Sequence, residues 1–91
     1  MEQLLELLIS TKRPIKSKEI KNHIGLCGAT VRKYVNALRV MGYPVCSSQS
    51  GYYLSYSKQD VLKTIHGLEH RVMGMTTAIN GLKLIVDDLT D

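Results

Sequence analysis

Between Gly25 and Leu54 the run GLCGATVRKYVNALRVMGYPVCSSQSGYYL changes period halfway along, and few architectures accommodate that change in so short a stretch. Val31, Val35 and Leu38 recur at helical spacing and predict a basic helix that begins near Cys27 or Gly28 and ends at Gly42. After Pro44 the pattern becomes extended. Val45 and Cys46 read as one strand, Ser48 to Gly51 carry turn chemistry, and Tyr52 and Leu54 alternate with Tyr53 and Ser55 as the return strand. A helix followed at once by a compact hairpin is therefore expected.

Two helices precede it. Leu4, Leu5, Leu8 and Ile9 predict an amphipathic helix ended by the polar run Thr11 to Arg13 and by Pro14. Ile15 is the lone apolar residue of a short extended piece. Ser17 is the expected N-cap of a second helix, with Glu19 in its first turn, Ile20 and Ile24 on one face and Gly25 as its stop. Helix, short turn and helix at this separation make a helix-turn-helix layout, and the hairpin that follows is a wing.

Charge is distributed to match. Residues 1–56 carry eight Lys/Arg against three Asp/Glu, a net +5, whereas residues 57–91 carry four against five, a net −1. A polyanion-binding head joined to a neutral assembly element has this polarity. A core of this size is also marginal unless a partner subunit adds buried surface, so oligomerisation is expected. Cys27 and Cys46 lack CxxC spacing and form neither a disulfide framework nor a zinc site. The start, MEQLLELLIS, is acidic and its apolar run is too short for a signal peptide or a membrane span. The expectation is a soluble protein of the reducing cytoplasm.

Three motifs carry a family resemblance: Ile24-Gly25-Leu26-Cys27 opening the third helix, Arg39-Val40-Met41-Gly42 closing it, and Gly51-Tyr52-Tyr53-Leu54 in the hairpin. The segment from Leu4 to about Tyr56 resembles the winged helix-turn-helix domains of the biotin operon repressor and the related DeoR-like bacterial regulators. The resemblance implies operator binding through the third helix and the wing. Cys27 replaces the N-cap Ser usual in that family, Gly28 stands where a basic residue is often found, and the wing turn Ser48-Gln49-Ser50 has no Lys or Arg.

With Val31, Val35 and Leu38 inward, the outward face of the third helix carries Ala29, Thr30, Arg32, Lys33 and Asn36. Arg can bond a guanine edge bidentately, Asn an adenine edge, and Lys a phosphate or guanine. Lys16, Ser17, Lys18 and Lys21 cluster at and within the second helix, where contacts would position the duplex rather than read it, together with Lys12 and Arg13 just before it. Gln49 is the wing-tip candidate. Tyr34 and Tyr53 either donate to a phosphate or pack their rings, whereas Tyr52 and Leu54 are assigned to the core.

A second pattern runs to the C-terminus. Val61, Ile65, Leu68, Val72, Met75, Ile79, Leu82, Val86 and Leu89 are spaced 4-3-4-3-4-3-4-3. Ile65, Val72, Ile79 and Val86 take the a positions and Leu68, Met75, Leu82 and Leu89 the d positions, as a parallel two-stranded coiled coil prefers. Gly67, Gly74 and Gly81 recur at c, each costing a helix about 1 kcal/mol relative to Ala. With Ala78 and Ile85 at g they form a second, narrow flank that would admit another helix, so a four-helix tetramer, or a helical hairpin broken near Gly74 or Gly81, stands beside the dimer.

His66, Glu69 and His70 share a helical face, but their order is not that of a zinc protease and no other ligand cluster accompanies them, so no metal and no cofactor are expected. No nucleophile–base constellation or phosphate-binding glycine loop is present, and no catalysis is expected. The fold expected is mainly α with a small β-hairpin wing: a winged helix-turn-helix over residues 1–56 and a C-terminal oligomerisation helix over residues 57–91. The function expected is that of a bacterial or phage transcriptional regulator, binding double-stranded operator DNA as a homo-oligomer, with a protein partner on the C-terminal helix as a further candidate. A DNA-organising, packaging or partition component and a winged-helix interaction adaptor are the alternatives.

Overall fold

The computed structural model describes residues 1–90. Asp91, the last residue of the expected assembly segment, lies outside the described residues. Three helices come first, α1 (Glu2–Ser10), α2 (Ser17–Ile24) and α3 (Gly28–Val40), followed by β1 (Val45–Ser48), β2 (Gly51–Leu54) and a long α4 (Lys58–Ile85). The apolar spacing explains the core directly. Leu4 and Leu8 of α1, Ile15, Ile20 of α2, Val31, Val35 and Leu38 of α3 and Val45 of β1 form one buried cluster. Each such side chain contributes roughly 1.5–3 kcal/mol of transfer free energy. Tyr52 and Leu54, expected in the core, are half-buried at its edge, as is Leu5, while Ile9 is exposed.

Backbone geometry sets the turn between the helices. Gly25 takes φ +74, a left-handed conformation that ends α2, and its N–H donates to the Lys21 carbonyl at 2.8 Å. Ser17 does not cap α2 as expected. Lys16 is the N-cap, extended at φ −83 and ψ 159, and the helix starts at Ser17 with no side-chain cap. The reason is that the preceding residue is tied to the wing. Ile15 N–H donates to the Tyr52 carbonyl at 2.9 Å and Tyr52 N–H returns a bond to the Ile15 carbonyl at 2.8 Å. This bridge holds Ile15 and Lys16 extended.

In the wing, Val45 pairs with Leu54, Cys46 with Tyr53, Ser47 with Tyr52 and Ser48 with Gly51, antiparallel. Ile15 lies along the outer edge of β2, and α4 packs on β1. Ser57 caps α4, accepting from the Asp60 N–H, and the Ser55 hydroxyl donates to the Asp60 carboxylate at 2.8 Å. Farther along, the backbone N–H of Ser47 donates to the Thr64 hydroxyl at 3.3 Å. Thr64 is only 8 % exposed, and Val61 and Leu68 beside it are half-buried. The first turns of the expected seam therefore pack against the chain's own β1, and from Glu69 onward every described residue is exposed.

The helix is continuous through Gly74 and Gly81, so the broken-hairpin alternative is set aside. The expected seam is cut short at its far end. Helix α4 stops at Ile85, Val86 enters a 3₁₀ turn with Asp87 and Asp88, and Leu89 is extended at φ −92 and ψ 141. Two carboxylates at the negative end of a helix dipole oppose its continuation. Leu89 consequently does not continue the helical a/d row.

Candidate nucleic-acid interface

Helix α3 splits its residues cleanly. Val31, Val35 and Leu38 are buried, while Ala29, Arg32, Lys33 and Asn36 are exposed on the other side. Arg32 and Asn36 form one wall of a cleft of about 620 Å³. Lys16 and Ser17 at the start of α2, Ser47, Ser48 and Gln49 of the wing, Leu68 and Arg71 of α4, and Arg39 and Tyr52 also line it. Four cationic side chains line this cleft, Lys16, Arg32, Arg39 and Arg71, and no carboxylate does. An anion entering it meets unopposed positive charge.

Of the expected contact residues, Lys16, Ser17, Arg32, Asn36 and Gln49 thus come together. Lys18 and Lys21 are exposed on α2, and Ala29 and Lys33 on α3, outside the cleft. Thr30 is half-buried, and its hydroxyl pairs with the Cys27 thiol at 3.3 Å. That bond, more than any other influence, lowers the Cys27 thiol below its ordinary range. Tyr53 lines a different hollow with Leu8, Ile9 and Tyr56, and burial followed by the nearby Asp60 charge raises its phenol. Tyr52 is the wing tyrosine that reaches the basic cleft. Arg13 forms a bidentate pair with Glu19, raising the guanidinium and lowering the carboxyl, so its charge is locally matched.

Two cleft arginines were not expected as contacts. Arg39 Nε donates to the Val45 carbonyl at 2.8 Å and Nη2 to the Ser47 hydroxyl at 3.3 Å, latching the end of α3 to β1. Burial pulls its guanidinium below the ordinary value, and Arg71 pushes it further down by like-charge repulsion. No sequence signal joins Arg39 to Arg71, which are distant in the chain and meet only because α4 lies along β1. His66, Glu69 and His70 are all exposed on α4. No three His, Cys, Asp or Glu side chains converge as a metal-ligand group among the described residues. No helix among the described residues is long and apolar enough to cross a membrane.

A helix-turn-helix with its second helix outward, followed by a two-stranded hairpin and backed by a basic cleft, defines the winged helix-turn-helix class. The chain belongs to the HTH domain family, whose sequence profile matches residues 1–53. That family is a DNA-binding, non-enzymatic kind. No curated protein and no solved structure matches the chain.

Proposed function

We propose that this protein is a sequence-specific transcriptional regulator of the biotin-repressor and DeoR-like kind, a cytoplasmic protein that acts on operator DNA as a homo-oligomer. The observation that carries the reading is the convergence of Arg32 and Asn36 with Lys16, Ser17 and Gln49 around one carboxylate-free cleft. Arg32 and Asn36 read base edges in the major groove, with Ala29 supplying apolar contact to a thymine methyl. Lys16, Lys18, Lys21 and Lys33 hold phosphates and fix the register of the duplex. Gln49 reaches the backbone from the wing tip.

Residues 1–56 act in this reading as the head and residues 57–91 as the assembly element. Val72, Met75, Ile79 and Leu82 are 57, 59, 51 and 65 % exposed along one row of α4, an apolar surface whose occupant we assign as a second copy of the same helix. Regulation is by occupancy: two linked heads bind a paired site, excluding or recruiting other proteins. Linkage makes the second encounter intramolecular and multiplies affinity by roughly 10² to 10⁴.

Selection of bound duplexes from a random pool, with light scattering on the same sample, tests this. A recovered paired motif and a mass above one chain support the reading. Recovery of no motif, with affinity unchanged between low and physiological salt, would instead select the adaptor reading, which the uncharged wing tip at Gln49 favours.

A further inference from the structure

We propose that α4 is itself part of the DNA interface, with Arg71 reaching from it to a backbone phosphate that Arg39 contacts from the other side of the cleft. The proposal rests on the DNA-binding reading above and adds to it an element that the helix-turn-helix does not contain. Three observations carry it. Helix α4 leaves the base of the wing at Ser57, is tied to β1 through Thr64 and Ser47, and brings Leu68 and Arg71 to the cleft that Ser48 and Gln49 also line. Seven residues of helix, about 10 Å, separate Arg71 from the Thr64 anchor, so its position follows from the docking of α4.

The second observation is charge. Arg71 and Arg39 line the same cleft, and neither forms a salt bridge among the described residues, where the one ion pair is Arg13 with Glu19. Two unmatched guanidinium groups facing one cleft leave a charge to be neutralised. The third is donor geometry. Arg39 commits Nε and Nη2 to Val45 and Ser47, which orients the planar group and leaves Nη1 directed to other acceptors. A phosphate oxygen matches such preoriented donors better than a single point charge does. The same cleft holds Arg32 and Asn36, which assigns the phosphate to a strand of the DNA that α3 reads, and its volume suits a short stretch of one backbone.

Arg71 stands beside the apolar row of α4, at the position where a coiled coil would place an interhelical charge, so the test must separate assembly from DNA contact. Arg71→Gln and Arg71→Lys are compared with the full-length protein on a mixed-sequence duplex and on the selected site, over a range of salt, with mass by light scattering. The expected result for Arg71→Gln is an unchanged mass and a three- to tenfold loss, roughly equal on both duplexes, with the log–log salt slope flatter by about 0.9. Arg71→Lys restores the slope. An unaltered slope and affinity in Arg71→Gln, while the parent protein binds DNA with salt sensitivity, would overturn the α4 contact and leave the DNA-binding reading intact. A change of mass in Arg71→Gln would also overturn it, by placing Arg71 in the assembly. A parent protein without salt-sensitive binding would remove the DNA-binding reading itself, and this proposal with it.

Discussion

The backbone N–H of Ser47 donates to the side-chain hydroxyl of Thr64, fixing a polar residue in the first turns of α4 against the free edge of β1. An unpaired strand edge would otherwise be covered by helix without an acceptor, and a buried N–H without a partner costs about 1–3 kcal/mol. Thr64→Val keeps the shape and removes the acceptor. It should lower stability by about 1–2 kcal/mol, a fall of about 4–8 °C in Tm per kcal/mol for a domain of this size. Faster hydrogen exchange at the Ser47 amide, seen together with the lower Tm, identifies the bond as the cause.

Gly51 is required by a close approach as well as by its φ of +123. A Cβ there would lie 2.3 Å from the Ile15 carbonyl oxygen and 2.8 Å from the Lys16 nitrogen, both backbone atoms that cannot swing aside. Gly51→Ala should destabilise the protein by roughly 3 kcal/mol through backbone strain and overpacking. Because Lys16 and Ser17 are displaced with the bridge, DNA affinity should fall more than for Ser50→Ala. Thermal melts and titrations on both variants decide between a general and a local effect.

The Cys27 thiol, exposed at the start of α3 and bonded to Thr30, is held below the ordinary thiol range. At neutral pH it should carry more thiolate than a free cysteine and be alkylated first, while buried Cys46 reacts only on unfolding. Thr30→Val removes the stabilising hydrogen bond, so the pH midpoint of labelling should move up and the rate at neutral pH should drop. Bound DNA should protect Cys27. Mass spectrometry after timed alkylation reads all three effects.

Replacing Val72 and Ile79 with Asp puts carboxylates into the row that self-association would bury, and an uncompensated buried charge costs several kcal/mol. The expected outcome is a monomer whose head stays folded, because Val72 and Ile79 are exposed and make no part of the buried cluster. Affinity for the paired site should fall toward that of a single head. Retention of the parent mass would show that this row is not the assembly surface.

Much of the head is legible from local pattern. The periods of Leu4 and Leu8, of Val31, Val35 and Leu38, and the turn chemistry from Ser48 to Gly51 each specify an element within a few residues. What is not legible depends on tertiary pairing. Ile15 stands alone in its stretch, so no period announces its bridge to Tyr52, and that bridge is what moves the N-cap from Ser17 to Lys16. Thr64 interrupts no heptad and looks solvated until β1 lies beside it. In the site, the outward face of α3 follows from spacing alone, whereas the presence of Arg39 and Arg71 in one cleft follows from where α4 is anchored.

In the proposed function, α3 is the element that would read base sequence, from the wall of the basic cleft. Arg32 tests this most directly, since it is solvent-facing on α3 and its loss would remove the proposed bidentate guanine contact without touching the core. The measurement is a titration of the parent protein and Arg32→Ala on the selected duplex and on a scrambled one, at fixed salt. Arg32→Ala should lose about 1–3 kcal/mol on the selected duplex and much less on the scrambled one, narrowing the ratio between them. An Arg32→Ala protein with the parent's affinity and the parent's ratio would contradict it.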